Sequence, residues 1–270
     1  MKLGSGLALA LGLALLVAAS PSLAQEKLRD FCPQRPGLDT PPCTIDSGHA
    51  DVEIGLADWT LDKQDGTRSD SFLFGDTLVR YGLNQTLELQ VEWQGAGFVR
   101  ERIDGGGVRQ ESGTGDVVVA LRQNLYNPDG SGFSIAIMPF VTLPAGSGPF
   151  GGDDWSGGII LPLSYQLPAG FQLAFTGETD AAADADGSGH HLAYSATAGI
   201  AVPIGKQVSA TLELQGERDE DPSGSSTAWL GDLVFAWKPA EDLQLDTGAV
   251  LGLNANAPDV ELYAGVSRRF

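Results

Sequence analysis

From Val52 to Phe270 the chain is cut into twelve segments of about ten residues that alternate apolar and polar side chains, joined by connectors that switch between long and short. A stretch of that length with one apolar face is too short for a membrane helix. It can cross a bilayer when tilted inside a closed barrel. The alternation is clearest at residues 87–94, where Leu87, Leu89, Val91 and Trp93 oppose Glu88, Gln90, Glu92 and Gln94. Val208, Ala210, Leu212 and Leu214 likewise oppose Ser209, Thr211, Glu213 and Gln215. A helix would set neighbouring residues only about 100° apart and smear both faces together, so the pattern excludes helix here.

The expected strands cover residues 51–60, 71–81, 86–99, 113–125, 133–143, 155–167, 171–180, 191–202, 208–218, 226–238, 243–254 and 259–270. Tight turns rich in Pro, Gly, Asn and Asp fall at 82–85, 127–132, 168–170, 203–207 and 239–242. Longer connectors fall at 61–70, 100–112, 144–154, 181–190 and 219–225, with only 255–258 short on that side. Short turns inside and long loops outside are the habit of outer-membrane barrels. The expected fold is therefore all-β, a closed antiparallel up-and-down transmembrane barrel of about 12 strands, with both termini periplasmic. A soluble periplasmic β-sandwich binding module is the alternative.

Residues 1–24 read as a signal peptide: Lys2, an apolar run from Leu7 to Ala18, and the small-residue pattern Ser22-Leu23-Ala24. Residues 25–48 read as a proline-rich, aperiodic N-terminal segment, and 49–270 as the barrel. Thirty-five acids against 16 bases argue against a nucleic-acid partner. The two cysteines, Cys32 and Cys43, flank five Pro and Gly residues. In an exported chain they suit a disulfide closing that loop, with a metal site as the weaker alternative because two thiolates fall short of four ligands.

Two stretches carry a resemblance. Phe31-Cys32-Pro33-Gln34-Arg35-Pro36-Gly37 with Pro42-Cys43-Thr44, and the terminal Tyr263-Ala264-Gly265-Val266-Ser267-Arg268-Arg269-Phe270, are similar to the MetA-pathway phenol-degradation family. The resemblance covers nearly all of the chain after residue 24. It implies an outer-membrane channel in a Gram-negative envelope, for passive uptake of small hydrophobic or aromatic compounds, with no catalytic residues. Its implied partners are outer-membrane lipid, the barrel-insertion machinery and the solute. Phe270 would be the assembly signal, although Arg268 stands where that signal usually carries an apolar residue.

With the apolar register facing lipid, the opposite register lines the lumen with Glu53, Asp76, Arg80, Glu88, Glu92, Arg122, Glu178, Glu213, Asp232, Asp246 and Glu261. They would form an acidic conduit with Arg80 and Arg122 as counter-charges, or a polar brace that nearly closes a non-transporting, structural barrel. Trp229 and Trp237 lie eight residues apart on one face, roughly 20 Å along a tilted strand, close to the ~25 Å apolar band of such barrels. With Trp59 and Trp155 they are expected at the membrane interface. The 25–48 segment is expected to act either as a plug, Arg35 pairing with wall carboxylates, or as a periplasmic appendage.

No enzyme is expected. His191 and Ser195 share a strand face but stand about 13 Å apart, too far for a nucleophile–base hydrogen bond. The acidic tips Asp184, Asp186, Asp219, Glu220 and Asp221 lack calcium-loop spacing and read as solvated. The glycines at 105–107 precede no helix and make no phosphate cradle. No cofactor or metal is expected.

Overall fold

The computed structural model describes residues 28–64 and 66–270, so the signal peptide expected over 1–24 lies outside the described residues. Fifteen strands make one antiparallel sheet: β1 (Ala50–Gln64), β2 (Thr67–Phe74), β3 (Asp76–Gly82), β4 (Leu87–Trp93), β5 (Ala96–Ile103), β6 (Val108–Thr114), β7 (Val117–Tyr126), β8 (Phe133–Leu143), β9 (Ser156–Gln166), β10 (Gln172–Ala183), β11 (His190–Pro203), β12 (Val208–Asp219), β13 (Ser226–Ala240), β14 (Leu243–Gly252) and β15 (Val260–Arg269). β15 pairs back onto β1, from Asp51 opposite Arg269 to Leu61 opposite Val260, and closes the barrel.

Three pairs of these strands are single staves broken in the middle: β2 with β3, β4 with β5, and β6 with β7. The closed wall therefore has twelve staves. Gly75 and Gly95 sit at two of the breaks with φ of +70° and +75°, a backbone region that side chains disfavour and bulges use. Above the breaks, β1, β2, β5 and β6 continue as a paired ribbon. The connectors expected at 61–70 and 100–112 are thus largely strand. Their alternation fades because residues such as Lys63, Arg100, Glu101 and Arg102 are polar whichever way they point, which suits water on both faces.

The burial pattern is that of a soluble protein turned inside out. Leu212 and Leu214 are 60% and 48% exposed, while Glu213 between them is 3% exposed. Leu233, Phe235 and Trp237 on β13 and Leu251 on β14 are exposed as well. Left in water, so continuous an apolar girdle would forfeit about 25 cal/mol per Å². Hydrocarbon removes that cost, and the pairing of β15 with β1 closes the wall, leaving β6 in the ribbon above the breaks with β5 as its one ladder partner among the described residues. Among the described residues no helix is long and apolar enough to cross a membrane; the strands do the crossing.

Candidate functional site: a plugged lumen

Residues 28–48 precede β1 and fold back into the short-turn end of the barrel. A chain without regular structure must find partners for its backbone groups, and here the inward polar register supplies them. Glu53 accepts the backbone N–H of Gln34 at 2.7 Å and of Arg35 at 2.6 Å. Glu88 accepts Ile45 N–H at 2.8 Å, Glu213 accepts Leu38 N–H at 2.6 Å, and Thr176 Oγ1 accepts Thr40 N–H at 2.9 Å. The carbonyls are met in turn: Arg80 donates to Cys32 O at 2.8 Å, Arg122 to Cys43 O at 3.2 Å, and Asn124 to Pro42 O at 2.8 Å.

Two buried arginines bind this grip to the wall. Arg80 pairs with Glu88 at 3.0 Å, Glu53 at 3.2 Å and Asp51 at 3.8 Å; Arg122 pairs with Glu88 at 3.2 Å. Both guanidinium groups have no exposed side-chain surface, so each charge is neutralised by direct contact rather than by water. Cys32 and Cys43 form a disulfide across the plug. Phe31 packs between Lys238 and Arg269, whose cationic groups lie 5.8 and 5.5 Å from its ring centre. Arg35 enters a notch made by Gly55 and Gly265, which face each other across β1 and β15, and reaches Asp246 at 3.1 Å. A Cβ on Gly265 would stand 2.3 Å from Arg35 Nε.

Above the plug, toward the long-loop end, lies a cavity of about 310 Å³ floored by Gln34. Its middle wall is apolar: Ala120, Met138 and Ile160 are buried in contact, with Phe140 packed against them. Acids flank that wall, Glu92 on β4 at one side and Glu178 and Asp180 on β10 at the other. A neighbouring cavity of about 300 Å³ is lined by Arg35, Asp58, Asp76, Glu92, Glu261 and Tyr263, among others.

Residues 34–270 match the family described as "Putative MetA-pathway of phenol degradation". The chain belongs to this family. No curated protein sequence matches it. Among solved structures it is similar to the NanC porin, with 11% identity and a TM-score of 0.50, over 81% of this chain and 98% of that one. The translocator domain of the autotransporter NalP from Neisseria meningitidis follows at 12% identity and 0.48, over 83% and 89%, and the CymD monoaromatic hydrocarbon channel at 9% and 0.44, over 83% and 88%. At such identities the likeness concerns the fold alone, that of an outer-membrane barrel.

In this member of the MetA-pathway phenol-degradation family, Glu53, Arg80, Glu88, Arg122, Glu213 and Asp246 contact the plug or its anchoring ion pairs. Asp76, Glu92, Glu178 and Glu261 line the two cavities. Asp232 accepts the Tyr263 hydroxyl at 2.7 Å. Sequence reasoning passed over Gln244, Ser267, Thr176 and Asn124, which also hold the plug or its partner Glu53. They sit on the same inward register and were missed because only charged residues were singled out. Ala120, Met138 and Ile160 were missed for the opposite reason, being apolar residues on the polar face.

The four tryptophans expected at the membrane interface occupy different surroundings. Trp155, Trp229 and Trp237 are exposed on the barrel. Trp59 is half-buried, donates to Asp70 at 3.3 Å, and pairs across to Phe72, which stacks on Phe98 at 4.9 Å. Phe270 ends the last stave, its N–H donating to Ala50 O at 2.8 Å. The outer acids are not all free tips. His191 lies 2.9 Å from Asp184 and 3.2 Å from Asp219, joining the loops after β10 and β12. The hydroxyl of Ser223 and the N–H groups of Ala185 and Ser223 hold the Asp221 carboxyl down at about 2.

Proposed function

We propose that this barrel is an outer-membrane channel for passive uptake of small hydrophobic or aromatic compounds, with both termini in the periplasm. The observation that carries the reading is the apolar wall of Ala120, Met138, Phe140 and Ile160, clustered beside a lumenal cavity on the face that also carries the inward acids. A barrel that only had to be braced gains nothing from a hole lined by such residues, since empty apolar space costs stability. A lumenal cavity with an apolar surface instead lowers the free energy of a solute partway across the wall. Family membership supports the same substrate class.

In this reading Glu53, Asp76, Arg80, Glu88, Glu92, Arg122, Glu178, Glu213, Asp232, Asp246 and Glu261 line the conduit, and the 28–48 segment narrows its periplasmic end. Trp59, Trp155, Trp229 and Trp237 sit at the rims of the lipid layer, and Phe270 is what the insertion machinery recognises. The chain performs no catalytic step. The second reading, a sealed structural barrel, draws on the number of hydrogen bonds that fasten the plug. Swelling of proteoliposomes separates the two. A channel of this kind admits phenol-like solutes faster than sugar-like ones, whereas swelling no faster than in protein-free liposomes for either solute would leave only the sealed barrel.

A further inference from the structure

The cavity above the plug has a second character besides its apolar wall. Staves run in order β4, β7, β8, β9, β10 around it, and cross-strand register places Gln90, Ala120, Phe140, Gly158 and Asp180 in one continuous row. The next row toward the plug sets Met138 opposite Ile160 and Ile160 opposite Glu178. Glu92 stands at the other margin, opposite Val118. The arrangement is an apolar strip with a carboxyl group on each side. Gly158 makes room for it, since a Cβ there would lie 2.1 Å from Asp180 Oδ1.

What is missing from this cavity is a base. None of its lining residues is Arg, Lys or His. Glu178 and Asp180 instead lie against each other, and the charge that bears most on Glu178 is the acid Asp180. At the plug every buried carboxylate named above lies beside an arginine or a backbone donor; here Glu178 and Asp180 face a cavity whose lining holds no positive group. Withdrawing such groups from bulk water without a counter-charge is unfavourable, and a cleft lined by one sign concentrates ions of the other.

Taking the lumen to be open to solute, as the proposed channel requires, we infer that the preferred solute is a small cation with an apolar body, an aromatic ammonium, and not an anionic aromatic. The ring would lie on Met138, Phe140 and Ile160, and the cationic head beside Glu178 and Asp180. A volume near 310 Å³ suits a single-ring solute.

The test is equilibrium binding to the full-length protein, folded in detergent, by titration calorimetry. The probes are benzyltrimethylammonium, tetramethylammonium and benzenesulfonate, whose charges are permanent. Benzyltrimethylammonium should bind at least about tenfold more tightly than either of the others. The double variant Glu178→Gln with Asp180→Asn should remove its advantage over benzenesulfonate. Met138→Ser should instead remove its advantage over tetramethylammonium. Heat-modifiable gel migration identifies variants that have kept the barrel, and the single variant Glu178→Gln, which should shrink the same advantage, serves if the double variant does not fold. Equal binding of benzenesulfonate, no binding of benzyltrimethylammonium, or unchanged preferences in the folded variants would overturn the inference. Selective binding together with proteoliposomes that admit no solute would overturn the channel reading and leave the binding site standing.

Discussion

Two halves of one lumen share the same staves and both carry inward acids, yet they handle charge differently. In the plugged half, Glu53, Glu88 and Asp246 each meet an arginine within 3.2 Å, and backbone N–H groups take up oxygens on Glu53 and Glu88. In the cavity half, Glu178 and Asp180 border open space lined by no base. The contrast separates charge used as mortar from charge left available. A buried ion pair holds only while both partners remain, whereas an uncompensated carboxyl group destabilises its own surroundings and persists where it serves something other than stability.

The contrast can be broken most forcefully by removing the plug. Deleting residues 28–48 should raise single-channel conductance several-fold in planar bilayers; an unchanged conductance would show that the segment does not limit the pore. Next in size is Arg80→Met, which strands the carboxylates of Asp51, Glu53 and Glu88 together. It should cost about 3–5 kcal/mol, read from denaturant unfolding in detergent.

Cys32→Ser comes third. Losing a cross-link between residues 11 apart should loosen the plug by about 2–4 kcal/mol, seen as faster amide exchange over residues 31–45 while β8 to β13 keep their protection. Sign as well as size distinguishes the two halves. Glu88→Gln should destabilise by about 1–3 kcal/mol, whereas Glu178→Gln should be neutral or stabilising, because it relieves like-charge crowding. Two losses of equal size would erase the distinction. The smallest effect belongs outside the lumen. Arg218→Ala, which breaks a surface pair with Glu220 at 2.8 Å, should change stability by no more than about 0.5 kcal/mol.

Much of the barrel was legible because a period of two is a local property. Leu212, Glu213 and Leu214 announce their faces without reference to anything distant, and the expected strand over 133–143 coincides with β8. Breaks at Gly75 and Gly95 were not legible, since an isolated glycine within a strand pattern can mark a bulge or nothing. The candidate site was legible in its charges and not in its geometry. Glu53, Arg80 and Glu88 could be placed on the inner face, but no spacing says that Glu53 takes two successive N–H groups from a segment some twenty residues earlier.

Alternation, turn chemistry and connector length by themselves determined that this chain forms a transmembrane barrel with an acidic interior, because each stave must show one face to hydrocarbon and the other to polar surroundings. Only the tertiary structure decided which acids are neutralised and which are not. That division depends on where residues 28–48 come to rest and which wall positions they reach, a matter of contacts between staves far apart in sequence. Strand parity orients a side chain toward the lumen; a folded plug settles what it meets there.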